Sequence, residues 1–198
     1  MKTLALFIIA LVSWTTIITQ LAITTESLSN LFSYFTILSN ILVAVCSSFL
    51  LIPATSALGS FFKRTSVQTA IALYIFIVAL VYNVVLRWLF DFKGLQMVVD
   101  NFLHVVVPVL FVLYWCFFTT KKRLTWKDGL LWLIFPSCYL IYSMIRGSFT
   151  HWYPYPFLNI EKLGLEKVAM NVMFMVLAFL ISALRLIWVN NKVVRRRA

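Results

Sequence analysis

Ser29-Asn30-Leu31-Phe32-Ser33-Tyr34-Phe35-Thr36-Ile37-Leu38-Ser39-Asn40-Ile41-Leu42-Val43-Ala44-Val45-Cys46-Ser47 is an apolar stretch with a polar line drawn through it. At ~100° per residue, Ser29, Ser33, Thr36, Asn40, Ala44 and Ser47 fall within about 80° of one another on a helix. The remaining surface is Leu, Ile, Val and Phe, which suits lipid or apolar neighbours. A hydroxyl or carboxamide facing lipid finds no hydrogen-bond partner, so the polar line must face protein or a wet cavity. Two readings fit this line. Small residues let membrane helices approach closely, and Ser and Thr bond back to the preceding turn. Alternatively Thr36, at its centre, is a reacting group.

The surroundings of that stretch set the fold class. The chain has 198 residues, 63% of them hydrophobic and only 12% charged, a composition too apolar for a water-soluble domain of this size. Apolar runs of about 20 residues, enough for ~30 Å of hydrocarbon, lie near 3–23, 31–52, 66–89, 99–118, 127–146 and 167–189. They predict an all-α membrane protein, a single six-transmembrane-helix domain over residues 1–198.

The formal charge of +11 raises nucleic acid as a partner, but its distribution argues against that. Of the 17 Lys and Arg, 12 fall in alternate loops on one side: Lys2, Lys63, Arg64, Lys121, Lys122, Arg123, Lys127, Arg185, Lys192, Arg195, Arg196 and Arg197. The other 5 are Arg87, Lys93, Arg146, Lys162 and Lys167. By the positive-inside rule both termini are expected in the cytoplasm, and the basic charge is topology with membrane lipid as a partner, not a nucleic-acid footprint. Cys46, Cys116 and Cys138 are odd in number and lie within spans, so neither a disulfide framework nor a metal site is indicated, and no cofactor is called for.

Polar side chains gather in the outer half of the spans. Asn83 and Arg87 are four apart near the end of span three. Asp100 and His104 are also four apart, so the carboxylate can reach the imidazole and fix its tautomer. Span five carries Tyr142 and Arg146, and the segment Trp152-Tyr153-Pro154-Tyr155-Pro156-Phe157 follows. Each Pro biases the Tyr before it to extended backbone, giving a non-helical aromatic segment that is either an interfacial belt or a lid. This one-sided polarity predicts an outward-facing cavity.

Thr36 with His104 has the composition of a nucleophile and base, because a neutral hydroxyl attacks a carbonyl usefully only when a base takes its proton. Asp100 completes a catalytic set. Asn40, Asn83, Arg87, Tyr142, Arg146, Tyr153 and Tyr155 are candidates to bind substrate or stabilise an oxyanion. The rival readings are a non-enzymatic carrier or binding protein for a small amphipathic solute, and a haem protein ligated by His104 and His151.

Three blocks carry a resemblance: Tyr34-Phe35-Thr36-Ile37-Leu38-Ser39-Asn40; Asp100 through His104 to Pro108; and Arg146-Gly147 with Trp152 through Leu158. Together they resemble the bacterial six-span Pr-six-Pr family, and more distantly the animal androgen-induced and androgen-dependent TFPI-regulating proteins, which are membrane threonine hydrolases of fatty acid esters. The animal proteins show Asn where this chain has Asp100. The resemblance implies a multi-pass protein of the bacterial inner membrane that cleaves a lipid-like ester, with Thr36 as nucleophile and His104 as base.

Overall fold

The computed structural model describes residues 1–53 and 56–197. The described residues form helices and connecting turns, with no strand among them. In chain order the helices are α1 (Lys2–Ile23), α2 (Leu28–Leu31), α3 (Phe35–Leu51), α4 (Ala57–Phe62), α5 (Thr65–Val81), α6 (Gly94–Asn101), α7 (Val107–Phe118), α8 (Trp126–Trp132), α9 (Ile134–Thr150), α10 (Ile160–Leu163) and α11 (Leu165–Arg197). Five stretches are long and apolar enough to cross a membrane: Lys2–Ile23, Thr65–Leu89, Gly94–Phe118, Trp126–Thr150 and Leu165–Arg196. Helix α3 is apolar but has 17 residues, so at ~1.5 Å per residue it reaches ~25 Å, a little less than the hydrocarbon thickness.

The chain divides into two compact units, Met1–Lys122 and Arg123–Ala198. In the first, α1 packs on α3, α3 on α5, α5 on α7 and α7 back on α1, closing a ring of four helices. The buried residues of α1 are Leu6, Ile9, Ala10, Ser13, Thr16, Ile17 and Gln20, recurring at three and four as one helix face. Val43, Ala44, Cys46, Leu73, Ile75, Val107 and Phe111 fill the centre. Polar side chains tie α5 to α7 at one end. Trp115 Nε1 donates to Thr69 Oγ1 at 2.9 Å, Thr119 Oγ1 to Gln68 Oε1 at 2.9 Å, and Thr65 Oγ1 to the Thr120 carbonyl at 2.7 Å.

In the second unit α8 packs on α9 and α11, and α10 and the turn Pro156–Leu158 pack on α11. Helix α9 ends at His151, whose left-handed backbone (φ 55°) lets its N–H cap the Gly147 carbonyl at 2.9 Å. Asn171 Nδ2 then donates to the Phe157 carbonyl at 2.9 Å and fastens the aromatic segment to α11.

The second apolar stretch differs from the expected single helix. Ser27 caps the short α2, Ser33 Oγ donates to the Ser29 carbonyl at 2.7 Å, and the Tyr34 hydroxyl donates to Glu26 at 3.1 Å. These local bonds compete with helix continuation. The backbone turns extended at Tyr34 (φ −81°, ψ 129°), and α3 starts afresh at Phe35. Ser29 and Ser33 therefore leave the polar line, and Thr36 sits in the first turn of a helix, not in its middle. The remaining members, Thr36, Asn40, Ala44 and Ser47, are all buried against the first unit.

Candidate functional site

Pro108 explains the local structure around His104. It has no N–H and its ring crowds the carbonyl four residues earlier, so a regular helix cannot run through Leu103 and His104. The chain widens instead: Phe102–Val106 is a π-helical turn in which the Val107 N–H bonds the Phe102 carbonyl five residues back. Neither the Leu103 nor the His104 carbonyl can receive a hydrogen bond from residue 108. Carboxamides from two other helices reach them. Asn40 Nδ2 donates to the Leu103 carbonyl at 3.2 Å, and Asn83 Nδ2 lies 3.5 Å from the His104 carbonyl. A second π-helical turn, Tyr82–Leu86, faces the first and carries Tyr82 and Asn83.

Apolar packing brings the first turn of α3 to the same place. Ile37, next to Thr36, and Leu103, next to His104, belong to one buried cluster with Leu31 and Val99. Beside these neighbours Thr36 and His104 are 7% and 8% exposed, and Thr36 Oγ1 lies 3.2 Å from His104 Nε2. The other ring nitrogen, Nδ1, meets two acceptors of one residue: the Asp100 carbonyl at 2.9 Å and Asp100 Oδ1 at 3.1 Å. Two acceptors at Nδ1 put the proton of a neutral imidazole there, leaving the Nε2 lone pair to accept the Thr36 hydroxyl. Asp100 itself is held by the Tyr82 hydroxyl, which donates to Oδ2. The Tyr82 ring lies on the imidazole, centroids 3.8 Å apart and planes 12° apart.

The arrangement is a hydroxyl, an imidazole and a carboxylate in line, with a tyrosine clamping the last two. In this geometry the hydroxyl proton can pass to Nε2 while Asp100 steadies the ring and the positive charge that forms on it. The first turn of α3 adds a second property. A helix start has N–H groups without an intrahelical carbonyl and a partial positive charge, so negative charge developing beside Thr36 is favoured there.

The other expected site residues divide by unit. Asn40 is fully buried, and its amino group is spent on the Thr36 and Leu103 carbonyls at 2.9 and 3.2 Å, which makes it a brace for the pair instead of a donor to substrate. Asn83 Oδ1 accepts from Arg87 Nη1 at 2.9 Å, and the guanidinium is exposed. Tyr142, Arg146, Tyr153 and Tyr155 belong to the second unit. There Arg146 lies 4.5 Å from the centre of the Trp152 ring, and Tyr155 stacks on Phe157 at 5.2 Å. The Tyr153 ring packs directly on Gly147, where a Cβ would meet it at 2.1 Å. Tyr142 is 44% exposed.

Tyr82 is the site residue that the sequence reading did not include among its candidates. Its one signal was position, immediately before Asn83 in the outer half of span three. Haem ligation does not suit His104, both of whose ring nitrogens are taken, and His151 Nδ1 lies 2.5 Å from Glu161 Oε1. Among the described residues no group of three His, Cys, Asp or Glu could hold a metal ion. Comparison with protein-family models, with curated proteins and with solved structures finds no match to this chain.

Proposed function

We propose that the chain is an integral membrane hydrolase that cleaves a lipid-like ester through an acyl-Thr36 intermediate. The observation that carries this reading is the 3.2 Å contact between Thr36 Oγ1 and His104 Nε2, with Nδ1 held at Asp100. The reaction follows in two balanced steps. Thr36 Oγ attacks the ester carbonyl as its proton moves to Nε2; the tetrahedral oxyanion collapses and the alcohol leaves with that proton. Water then attacks the acyl-threonine, gives its proton to Nε2, and the acid departs as His104 returns a proton to Thr36 Oγ. Tyr82 and Asp100 position the base throughout. Arg87, exposed and tethered to Asn83, supplies a positive charge suited to a carboxylate on the substrate.

The same reading takes six passes with both termini in the cytoplasm of a bacterial inner membrane. It rests on the 12 to 5 division of Lys and Arg and on the resemblance of the three sequence blocks. The testing experiment is hydrolysis of a panel of fatty acyl esters by the purified chain in mixed micelles. Thr36→Ala and His104→Ala should each abolish turnover in a protein that still unfolds cooperatively, His104→Ala at a lower temperature because it empties the space under the Tyr82 ring and leaves Asp100 without its imidazole. Turnover that survives both substitutions rules out Thr36 and His104 as nucleophile and base, and a folded parent that turns over no ester favours the binding-protein reading.

A further inference from the structure

A cavity of about 450 Å³ opens between the start of α8 and the last turns of α11, lined by Arg123, Leu124, Trp126, Asn191, Val194 and Arg195 among others. Its frame closes without help from either arginine. Asn191 Oδ1 accepts from the Leu124 N–H at 2.9 Å and Asn191 Nδ2 donates to the Leu124 carbonyl at 2.8 Å, a two-point clamp between the walls. Thr125 gives its N–H and hydroxyl to Asp128 Oδ2 at 2.8 and 2.9 Å. Gly129 permits close approach, since a Cβ there would lie 3.2 Å from Ile187 Cδ1.

Two guanidiniums thus line one preformed cavity. Among the described residues neither takes part in an ion pair. Asp128 is the one acid between residues 119 and 133, and it caps α8; the acid of α11, Glu166, stands in that helix's first turn, far from Arg195. Both arginines are exposed, so water solvates them, and an anion entering the cavity meets two guanidiniums that no carboxylate among the described residues already holds.

The apolar part of the lining indicates what carries the anionic group. Leu124, Trp126 and Val194 would be poor walls for a hydrated inorganic ion and good ones for an amphiphile. At ~100° per residue, Leu177, Ile181, Leu184, Trp188 and Arg195 fall within about 60° of one another on α11. The four apolar members are exposed. Leu177 to Trp188 is thus an apolar stripe about three turns long with Arg195 about two turns beyond it on the same face, while Lys192 covers the Trp188 ring at 4.7 Å, as basic and aromatic side chains do at a membrane interface.

We infer that this cavity binds the phosphate group of an anionic membrane phospholipid, with Arg123 and Arg195 on the phosphate and an acyl chain along Leu184, Ile181 and Leu177. The inference is independent of the chemistry at Thr36.

The test is native mass spectrometry of the full chain released from vesicles of phosphatidylcholine with phosphatidylglycerol, and from vesicles of phosphatidylcholine alone. The parent should retain one phosphatidylglycerol and no phosphatidylcholine. The double variant Arg123→Gln/Arg195→Gln should retain it about tenfold less or worse, whereas Arg196→Gln, which removes one charge one residue off the stripe, should cost about twofold or less. Val194→Trp, which fills the cavity and leaves both charges, should also displace the lipid. Equal loss in Arg196→Gln would mean a diffuse basic surface and overturn the site. Retention unchanged in the double variant or in Val194→Trp would overturn it too. Displacement of the lipid by millimolar inorganic phosphate would assign the cavity to a free anion instead.

Discussion

Tyr82 lies flat on His104, ring centroids 3.8 Å apart and planes 12° apart, while its hydroxyl holds the Asp100 carboxylate that fixes His104 Nδ1. One side chain thereby restrains both the plane of the imidazole and the carboxylate that holds its Nδ1. Tyr82→Phe keeps the stacking and removes the hydroxyl. It should lower kcat by about tenfold to a hundredfold with KM nearly unchanged, as loss of an orienting partner does. Steady-state kinetics on the best ester substrate checks this; an equal rise in KM with kcat intact would make Tyr82 a substrate contact instead.

Asn40 joins the helix of Thr36 to the helix of His104 by donating to the Thr36 and Leu103 carbonyls. Asn40→Leu leaves the Leu103 carbonyl without that donor. The expected cost is about 1 kcal/mol, and up to ~3 kcal/mol if no water reaches the carbonyl. Thermal unfolding in detergent should fall by several degrees, and activity should fall with it.

Pro108 should be dispensable for folding and required for function. Pro108→Ala restores an N–H and lets the widened turn at Phe102–Val106 relax toward a regular helix, which rotates His104 away from Thr36. The variant should unfold at the same temperature or higher yet lose most ester cleavage. Full activity in a stable Pro108→Ala protein would show that the widened turn does not position the base.

Gly147 tests the second unit. A methyl group there would meet the Tyr153 ring at 2.1 Å, so Gly147→Ala must displace the ring or the turn that follows α9. The expected loss is about 1 to 3 kcal/mol, from overpacking. Gly147→Ala with Tyr153→Ala should regain part of it, a coupling that a double-mutant cycle of thermal stabilities would read directly.

What the sequence disclosed follows from the range of the forces involved. Membrane-spanning helices are a matter of run length and apolarity, so five of the six expected spans were legible, and the Asp100 to His104 spacing announced a contact one helical turn long. Boundaries set by competing local bonds were not. Ser27, Ser33 and Tyr34 bond within their own loop and restart the helix at Phe35, which a 100° projection through Ser29 cannot register. The widened turn was half legible: Pro108 forbids a regular helix, but choosing a π turn depends on carboxamides 63 and 21 residues distant in the chain. Tyr82 depends on Asp100, 18 residues away, and Arg123 shares a cavity with Arg195 only through the Asn191 clamp, 67 residues from Leu124.

The most direct measurement is the site of covalent capture by a lipophilic fluorophosphonate, whose phosphorus is attacked only by an activated hydroxyl. After digestion, mass spectrometry should find the phosphonyl group on Thr36 and nowhere else. Labelling should vanish in Thr36→Ala and fall at least a hundredfold in His104→Ala, about the contribution of a general base, with both variants folded at the temperature of the assay. A folded parent that takes no label, or one labelled as readily after His104→Ala, would contradict the assignment of Thr36 and His104 as nucleophile and base.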